Sequence, residues 1–433
     1  MTTRYYPQLD ETLSLGVLEN GLTVAVVPRK GFTKKLAYFV TDYGSMHTEY
    51  EFEGRHYEAP AGVAHYLEHK LFDMPGGRDV SAEFASLGAM VNAFTSYDMT
   101  AYYFSCTENF SQCLKLLLEF VSTPYFTEES VKKEQGIIDQ EIGMNRDAPD
   151  SVIFERLMQA MFARHPIRVP ILGTCDTIRE ITPEVLHQVH RAFYTPGNMM
   201  LCVVGDVDGE EVTAIARQVL GTQPAVKGIR RKSWPDSMTC PASLTRQAME
   251  VAMPMFNLAF KCEPLGDGEE AIRQEMAADL AAEALFGESS ELYLRLYEEG
   301  LIDSSFGGGF ETLDGCAMLM CSGDSENPEA LRDAILAQAE KIAGEGIPEE
   351  DFLRMKRSAF GRRVRGLDSF DGTCFRVCAY HLSGFDYFRF PEVYQKIGAG
   401  DIQELIRRVV RPERCCLSVI DPIDTEEEEY ESR

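Results

Sequence analysis

Basic residues are scarce in this chain. Against 69 aspartates and glutamates stand 42 lysines and arginines, a formal charge of −27. A surface of that sign repels nucleic-acid phosphates, which excludes nucleic acid as a partner. Histidine is scarcer still, with 8 in 433 residues, and there is 1 tryptophan. No apolar run is long enough to span a membrane, so no membrane partner is expected. Residues 1–11 are polar and lack the apolar core of a secretory leader. The 12 cysteines form no Cys-x-x-Cys and lie mostly in apolar stretches such as Met200-Leu201-Cys202-Val203-Val204, where a thiol acts as a small hydrophobe. That usage does not make a disulfide framework and points to a reduced, cytoplasmic setting.

What is present is an unusual concentration of the rare residue. His65-Tyr66-Leu67-Glu68-His69 places two of the 8 histidines four residues apart. If residues 61–72 are helical, both imidazoles lie on one face, one turn apart, and can hold one Zn²⁺ through ring nitrogens. Glu68 shares that face and can reach a water on the metal. A catalytic zinc takes three protein ligands and keeps one position open, so a third donor must come from elsewhere. Glu134 and Glu141 are spaced by two helical turns and face the same way. Glu141 is the better candidate for the third ligand and Glu134 the other.

At 433 residues, 45% of them hydrophobic, the chain exceeds what a single core usually sustains, and two domains are expected. Residues 17–27 read as two strands around the turn Asn20-Gly21, and residues 48–60 as a polar loop. The segment Asn92-Ala93-Phe94-Thr95-Ser96 reads as strand that runs close to the histidine helix. Residues 128–145 read as a helix opened by Thr127, carrying both glutamates. Residues 199–204 read as a buried strand. His187 and His190 lack a four-residue spacing and read as packing or surface residues.

The stretch 221–243, rich in Pro, Gly and basic residues, reads as a linker between a domain at 1–220 and a second at 244–433. Beyond it the coarse order repeats, with one strand over 247–262, long helices, and a final strand at 415–420. The acidic run 426–429 reads as a solvated tail. The fold class is therefore α+β, two α/β sandwich halves from a diverged duplication, of which only the first carries the histidine motif.

These residues resemble the pitrilysin/insulinase family of zinc metallopeptidases, whose inverted motif is H-x-x-E-H, and most of all its short bacterial, processing-peptidase-like branch. The likeness takes in the seven-residue step from Glu134 to Glu141, the N-A-x-T segment at Asn92 to Thr95, and His165-Pro166, Gly173, Tyr194, Pro196-Gly197-Asn198-Met199 and Gly205-Asp206 in family order. It covers nearly all of the first half, and the second half in layout only. The resemblance implies a clamshell of two halves, antiparallel-rich sheets with helices on one face, enclosing unfolded peptide in a chamber, often as a dimer. It implies one zinc per chain on His65, His69 and Glu141, with Glu68 as general base and Glu134 supporting the site. It also implies substrate backbone pairing with the strand at Asn92, Ala93 and Phe94.

One departure bears on activity. Active members commonly carry an Arg four residues before, and a Tyr three residues after, a glycine in the second half, where they contact substrate. Around Gly300 those places hold Leu296 and Asp303. Arg295 and Tyr297 stand nearby out of register, and Arg376 and Tyr380 are further candidates for the role. The expected function is a zinc-dependent endopeptidase in which Glu68 deprotonates a zinc-bound water to hydrolyse unfolded or precursor peptides. The alternative is a non-catalytic or half-site peptide-binding subunit that needs a metal-free sister, so the expected assembly is a homodimer or such a heterodimer.

Overall fold

A computed structural model describes residues 1–224 and 228–423; the acidic run 426–429 lies outside them. The chain divides into two compact units. The first takes Met1–Ile142, Val169–Ser233 and Arg363–Pro391; the second takes Gly143–Arg168, Trp234–Arg362 and the residues from Glu392 on. Each unit thus includes a piece of chain from the far side of the 221–243 stretch.

The first unit is built on a seven-stranded sheet. Its order is Thr2–Tyr6, Glu11–Val17, Thr23–Pro28, Met199–Gly205, Lys35–Thr41, Thr100–Cys106 and Ala89–Thr95. Thr23–Pro28 and Met199–Gly205 run parallel and the other neighbours antiparallel. Met199–Gly205 is buried at every residue, which is why its sequence is a continuous apolar run rather than an alternation. The turn at Asn20-Gly21 joins two paired strands as its sequence predicts, with Gly21 at φ 91°.

One face of this sheet, through Val24, Val26, Ala37, Phe39, Tyr102, Phe104, Leu201 and Val203, packs into a core with helices Val63–Lys70, Phe110–Val121, Pro183–Phe193 and Gly209–Leu220. Helix Phe370–Leu382 packs on Met199–Gly205 and Lys35–Thr41. His190 sits in this unit's interior, its Nε2 3.0 Å from the Val121 carbonyl.

The second unit holds a five-stranded sheet, Leu244–Met249, Cys415–Pro422, Met255–Cys262, Cys316–Asp324 and Gly307–Leu313. Its first pair is parallel and the rest antiparallel. That is the order and direction of the five strands from Thr23–Pro28 to Ala89–Thr95 in the first unit, so the duplication read from the sequence is present in the topology. Helix Pro149–Met161 covers this sheet.

Two expectations need correction. Residues 48–60 are not a loop: Glu49–Phe52 and Arg55–Glu58 pair as a hairpin, extended by Arg230–Arg231. Tyr50 and Phe52 are buried while Glu51 is exposed, a period-two pattern that the local charge obscured. The single strand over 247–262 is two, Leu244–Met249 and Met255–Cys262, separated at Pro254, where a ladder amide is missing. Residues 1–11 contribute an edge strand, Thr2–Tyr6. Among the described residues all 12 cysteines are free, and no helix is long and apolar enough to cross a membrane.

Candidate metal centre

The helix that carries the histidines is short, Val63–Lys70, and its start is fixed by backbone geometry. It starts at Gly62, at φ 93°, where a Cβ would lie 2.4 Å from the Leu172 carbonyl oxygen. Gly173, at φ 72°, faces the same obstacle 2.4 Å from the Ala61 carbonyl oxygen. The two segments cross backbone to backbone, and glycine at both positions lets them do so. Val63, Ala64, Tyr66 and Leu67 turn inward from this helix, leaving His65, Glu68 and His69 on the opposite side.

The second contributor is Glu128–Arg146, capped by the Thr127 hydroxyl, which accepts from the Ser130 amide at 3.1 Å. Val131, Ile138 and Ile142 are its buried residues. Glu134 and Glu141 follow Val131 and Ile138 by three positions, at the edge of the same stripe. The Tyr66 hydroxyl donates to the Val131 carbonyl and ties the two helices together.

Three donors converge as a result. His65 Nε2 and His69 Nε2 each lie 3.7 Å from Glu141 Oε2, and the ligand atoms of all three residues are within 4.8 Å of one another. Zinc bonds of about 2.0–2.2 Å place tetrahedral donors roughly 3.3–3.6 Å apart, so a small closure seats the ion. Glu134 stands behind the group: His69 Nδ1 donates to its Oε1 at 2.9 Å, which leaves Nε2 as the free lone pair. His65 has no such anchor, its Nδ1 being buried and without a hydrogen-bond partner among the described residues. Glu68 accepts from the Thr95 hydroxyl at Oε2, 2.6 Å, and among the described residues its Oε1 is uncommitted.

The electrostatics suit a divalent cation. Burial, with the neighbouring His69, pushes His65 down to about 4, so its ring is neutral and able to ligate at neutral pH. Burial also lowers His69, but the hydrogen bond to Glu134 and the charges of Glu141, Glu134 and Glu68 outweigh it and hold the ring above its usual value. Burial raises the Glu68 carboxyl despite the Thr95 hydrogen bond. Glu134 shows the reverse: burial raises it, yet the His69 hydrogen bond and the Lys70 and His69 charges hold it below the carboxylate range. Three carboxylates crowd two imidazoles here, and a bound cation offsets that repulsion. The donor set of two imidazoles and one carboxylate is one that zinc accepts.

Among the described residues Ala89–Thr95 is the outermost strand of its sheet, paired only with Thr100–Cys106. Ala93 and Thr95 share one side of it, and Asn92 and Phe94 the other. Asn92 is exposed, and its Oδ1 accepts from the Ala93 amide at 2.9 Å. Phe94 is half-buried against Tyr38, Tyr103 and Phe375. Arg295 and Tyr297 belong to the second unit, on helix Glu291–Glu298, where Tyr297 is 54% exposed and stacks on Tyr293. Arg376 and Tyr380 belong to the first unit; Tyr380 is buried and its hydroxyl accepts from Arg363 at 2.8 Å. Sequence reasoning named Thr95 within its strand but gave it no role, and it passed over Lys70. Thr95 could have been found from the strand's alternation, which aims it at the same side as Ala93.

A model of the insulinase family, peptidase family M16, matches residues 53–175, and one described as the peptidase M16 inactive domain matches residues 180–359. The first span contains His65, Glu68, His69, Glu134 and Glu141. A Bacillus subtilis (strain 168) protein named uncharacterized zinc protease YmfH is 35% identical over 422 residues, 96% of this chain and 98% of that protein. A solved structure described as an M16-like peptidase from Alicyclobacillus acidocaldarius aligns with a TM-score of 0.91 at 31% identity, covering 95% of this chain and 99% of that one. A protease from Helicobacter pylori shares the fold, with a TM-score of 0.81 at 19% identity over 95% of this chain and 99% of its own.

Proposed function

The chain belongs to the insulinase family of zinc proteases, peptidase family M16, and from that premise we propose that it is a zinc-dependent endopeptidase acting on unfolded or precursor peptides. The observation that carries this reading is the approach of His65 Nε2 and His69 Nε2 to one oxygen of Glu141, with Glu68 on the same helix face. His65, His69 and Glu141 are the ligands in this reading, since Glu134 is engaged with the far nitrogen of His69. Zinc held there supplies a Lewis acid that acidifies water and polarises the scissile carbonyl.

Glu68 does the proton work. Thr95 holds its Oε2, so Oε1 takes the proton from the water as the carbon–oxygen bond forms. The same oxygen returns the proton to the amine nitrogen as the carbon–nitrogen bond breaks, leaving a carboxylic acid and an amine, and the acid then gives its remaining proton to solvent. Burial raises this carboxyl toward the working pH, which favours a group that must both accept and donate. The open edge of Ala89–Thr95 suits an extended peptide adding as a further strand, with Asn92, Ala93 and Phe94 as its contacts. An incoming carbonyl would take over the Ala93 amide from the Asn92 side chain. The free thiols fit a reducing compartment.

A second reading, a half-site subunit completed by a metal-free sister, is favoured by one observation. Leu296, at the place where active relatives carry the substrate-binding arginine, is fully buried and cannot meet a peptide. A quenched, end-blocked, unstructured peptide separates the cases. The endopeptidase reading expects internal cleavage by the purified chain, lost on treatment with a zinc chelator and restored by added Zn²⁺. Cleavage that persists undiminished in the zinc-free protein contradicts it. Zinc binding without cleavage, cured by a sister chain, favours the half-site reading.

A further inference from the structure

Lys70 directly follows His69 and is the one residue on the inward face of its helix whose chemistry does not suit an apolar interior. Its side chain is 2% exposed. An ammonium in such a place is costly unless its donors are met by oxygens. They are: Nζ donates to Asp73 Oδ2, lies 3.4 Å from the Ser130 carbonyl oxygen, and faces Glu134 Oε2 at 3.6 Å. Glu134 therefore meets a partner at each oxygen, Oε1 hydrogen-bonded to the His69 ring and Oε2 ion-paired with the ammonium.

The step of two turns between Glu134 and Glu141 makes either glutamate eligible for the metal by helical periodicity alone. Something must keep Glu134 off the ion and on the back of His69. We propose that Lys70 is that positioning residue: by binding Glu134 Oε2 it assigns Glu134 to His69 Nδ1 and leaves Glu141 as the metal's carboxylate. Lys70 touches neither substrate nor metal. It acts through Glu134, which orients the imidazole and sets its tautomer. Nothing in the motif itself encodes this; it comes from the residue after the motif and from the second helix.

The proposal rests on the ligand reading above, so its test reads metal binding rather than hydrolysis. Zn²⁺ affinity of the full chain is measured by chelator competition for wild type, Lys70→Met, Glu134→Gln and the double variant, with circular dichroism confirming equal folding. Lys70→Met keeps the bulk and removes the charge. It is expected to weaken zinc binding by about 10–100-fold, the range typical of residues that orient a metal ligand, and Glu134→Gln likewise. Because both act through one carboxylate, the double variant should match Glu134→Gln within about threefold. The visible spectrum of the Co²⁺-loaded protein should change in Lys70→Met, and the same substitution should add no change once Glu134 is Gln.

Lys70→Met binding zinc as tightly as wild type overturns the proposal. So does a wild-type affinity in Glu134→Gln, or losses that multiply in the double variant. If the single lysine variant fails to fold, comparing the double variant with Glu134→Gln decides, since that pair of changes removes both buried charges together. Wild-type protein that binds zinc and cleaves nothing defeats the peptidase reading alone, whereas wild-type protein that binds no zinc defeats both.

Discussion

Glu68→Gln is expected to lower peptide hydrolysis by about 10²–10⁴-fold, the contribution usual for a positioned general base, while the protein keeps its full zinc content. The amide is nearly isosteric, and its oxygen can still accept from Thr95, so the helix and the ligand trio stay in place. What it cannot do is take a proton at the position Oε1 occupies. Burial disfavours the charged carboxylate here, so the neutral amide also carries no folding penalty, and thermal stability should hold or rise slightly. The paired measurement is turnover on a quenched peptide and zinc by elemental analysis. Turnover within about tenfold of wild type would remove Glu68 from the role assigned to it.

His69→Ala is expected to do the opposite in kind, abolishing zinc retention and, with it, hydrolysis. The change deletes one of two imidazoles and leaves Glu141 with His65 alone. It also strips the Glu134 carboxylate of its hydrogen-bond donor while that carboxylate remains largely buried beside Lys70. Loss of a buried partner of this kind costs about 1–3 kcal/mol, so a lower melting temperature should accompany the metal loss. A full zinc complement after this substitution would mean that the ion sits elsewhere. The two variants separate the functions of adjacent residues: one loses chemistry and keeps metal, the other loses both.

Much of the site could be read in advance because its parts obey helical spacing. Two histidines a turn apart and two glutamates two turns apart need no long-range information to be placed on faces. Spacing could not say which glutamate meets the metal, because both lie on one stripe; the answer depends on where the second helix crosses the first, which the Tyr66 bond to Val131 and the crossing at Gly62 and Gly173 set. Lys70 was invisible for a similar reason, since its burial is paired with oxygens from Asp73, Ser130 and Glu134, two of them 60 or more residues away.

The fold divides along the same line. The turn at Asn20-Gly21 and the apolar run Met199–Gly205 declare themselves locally. The hairpin of Glu49–Phe52 and Arg55–Glu58 hid because Glu51, Arg55, His56 and Glu58 are polar and exposed, and only Tyr50 and Phe52 mark its buried side. Which sheet a helix covers is likewise a tertiary choice. Phe370–Leu382 presents Thr373, Cys374, Val377 and Cys378 as a buried stripe, but nothing in that stripe names Met199–Gly205 as its partner.

X-ray absorption at the zinc edge of the purified chain tests the central claim most directly, because this protein offers the metal 12 thiols as well as 8 histidines. The account predicts one zinc surrounded by nitrogen and oxygen at about 2.0–2.2 Å with imidazole scattering from two rings. A shell of sulfur at about 2.3 Å, or a zinc signal unchanged when His65 and His69 are both replaced, would contradict it.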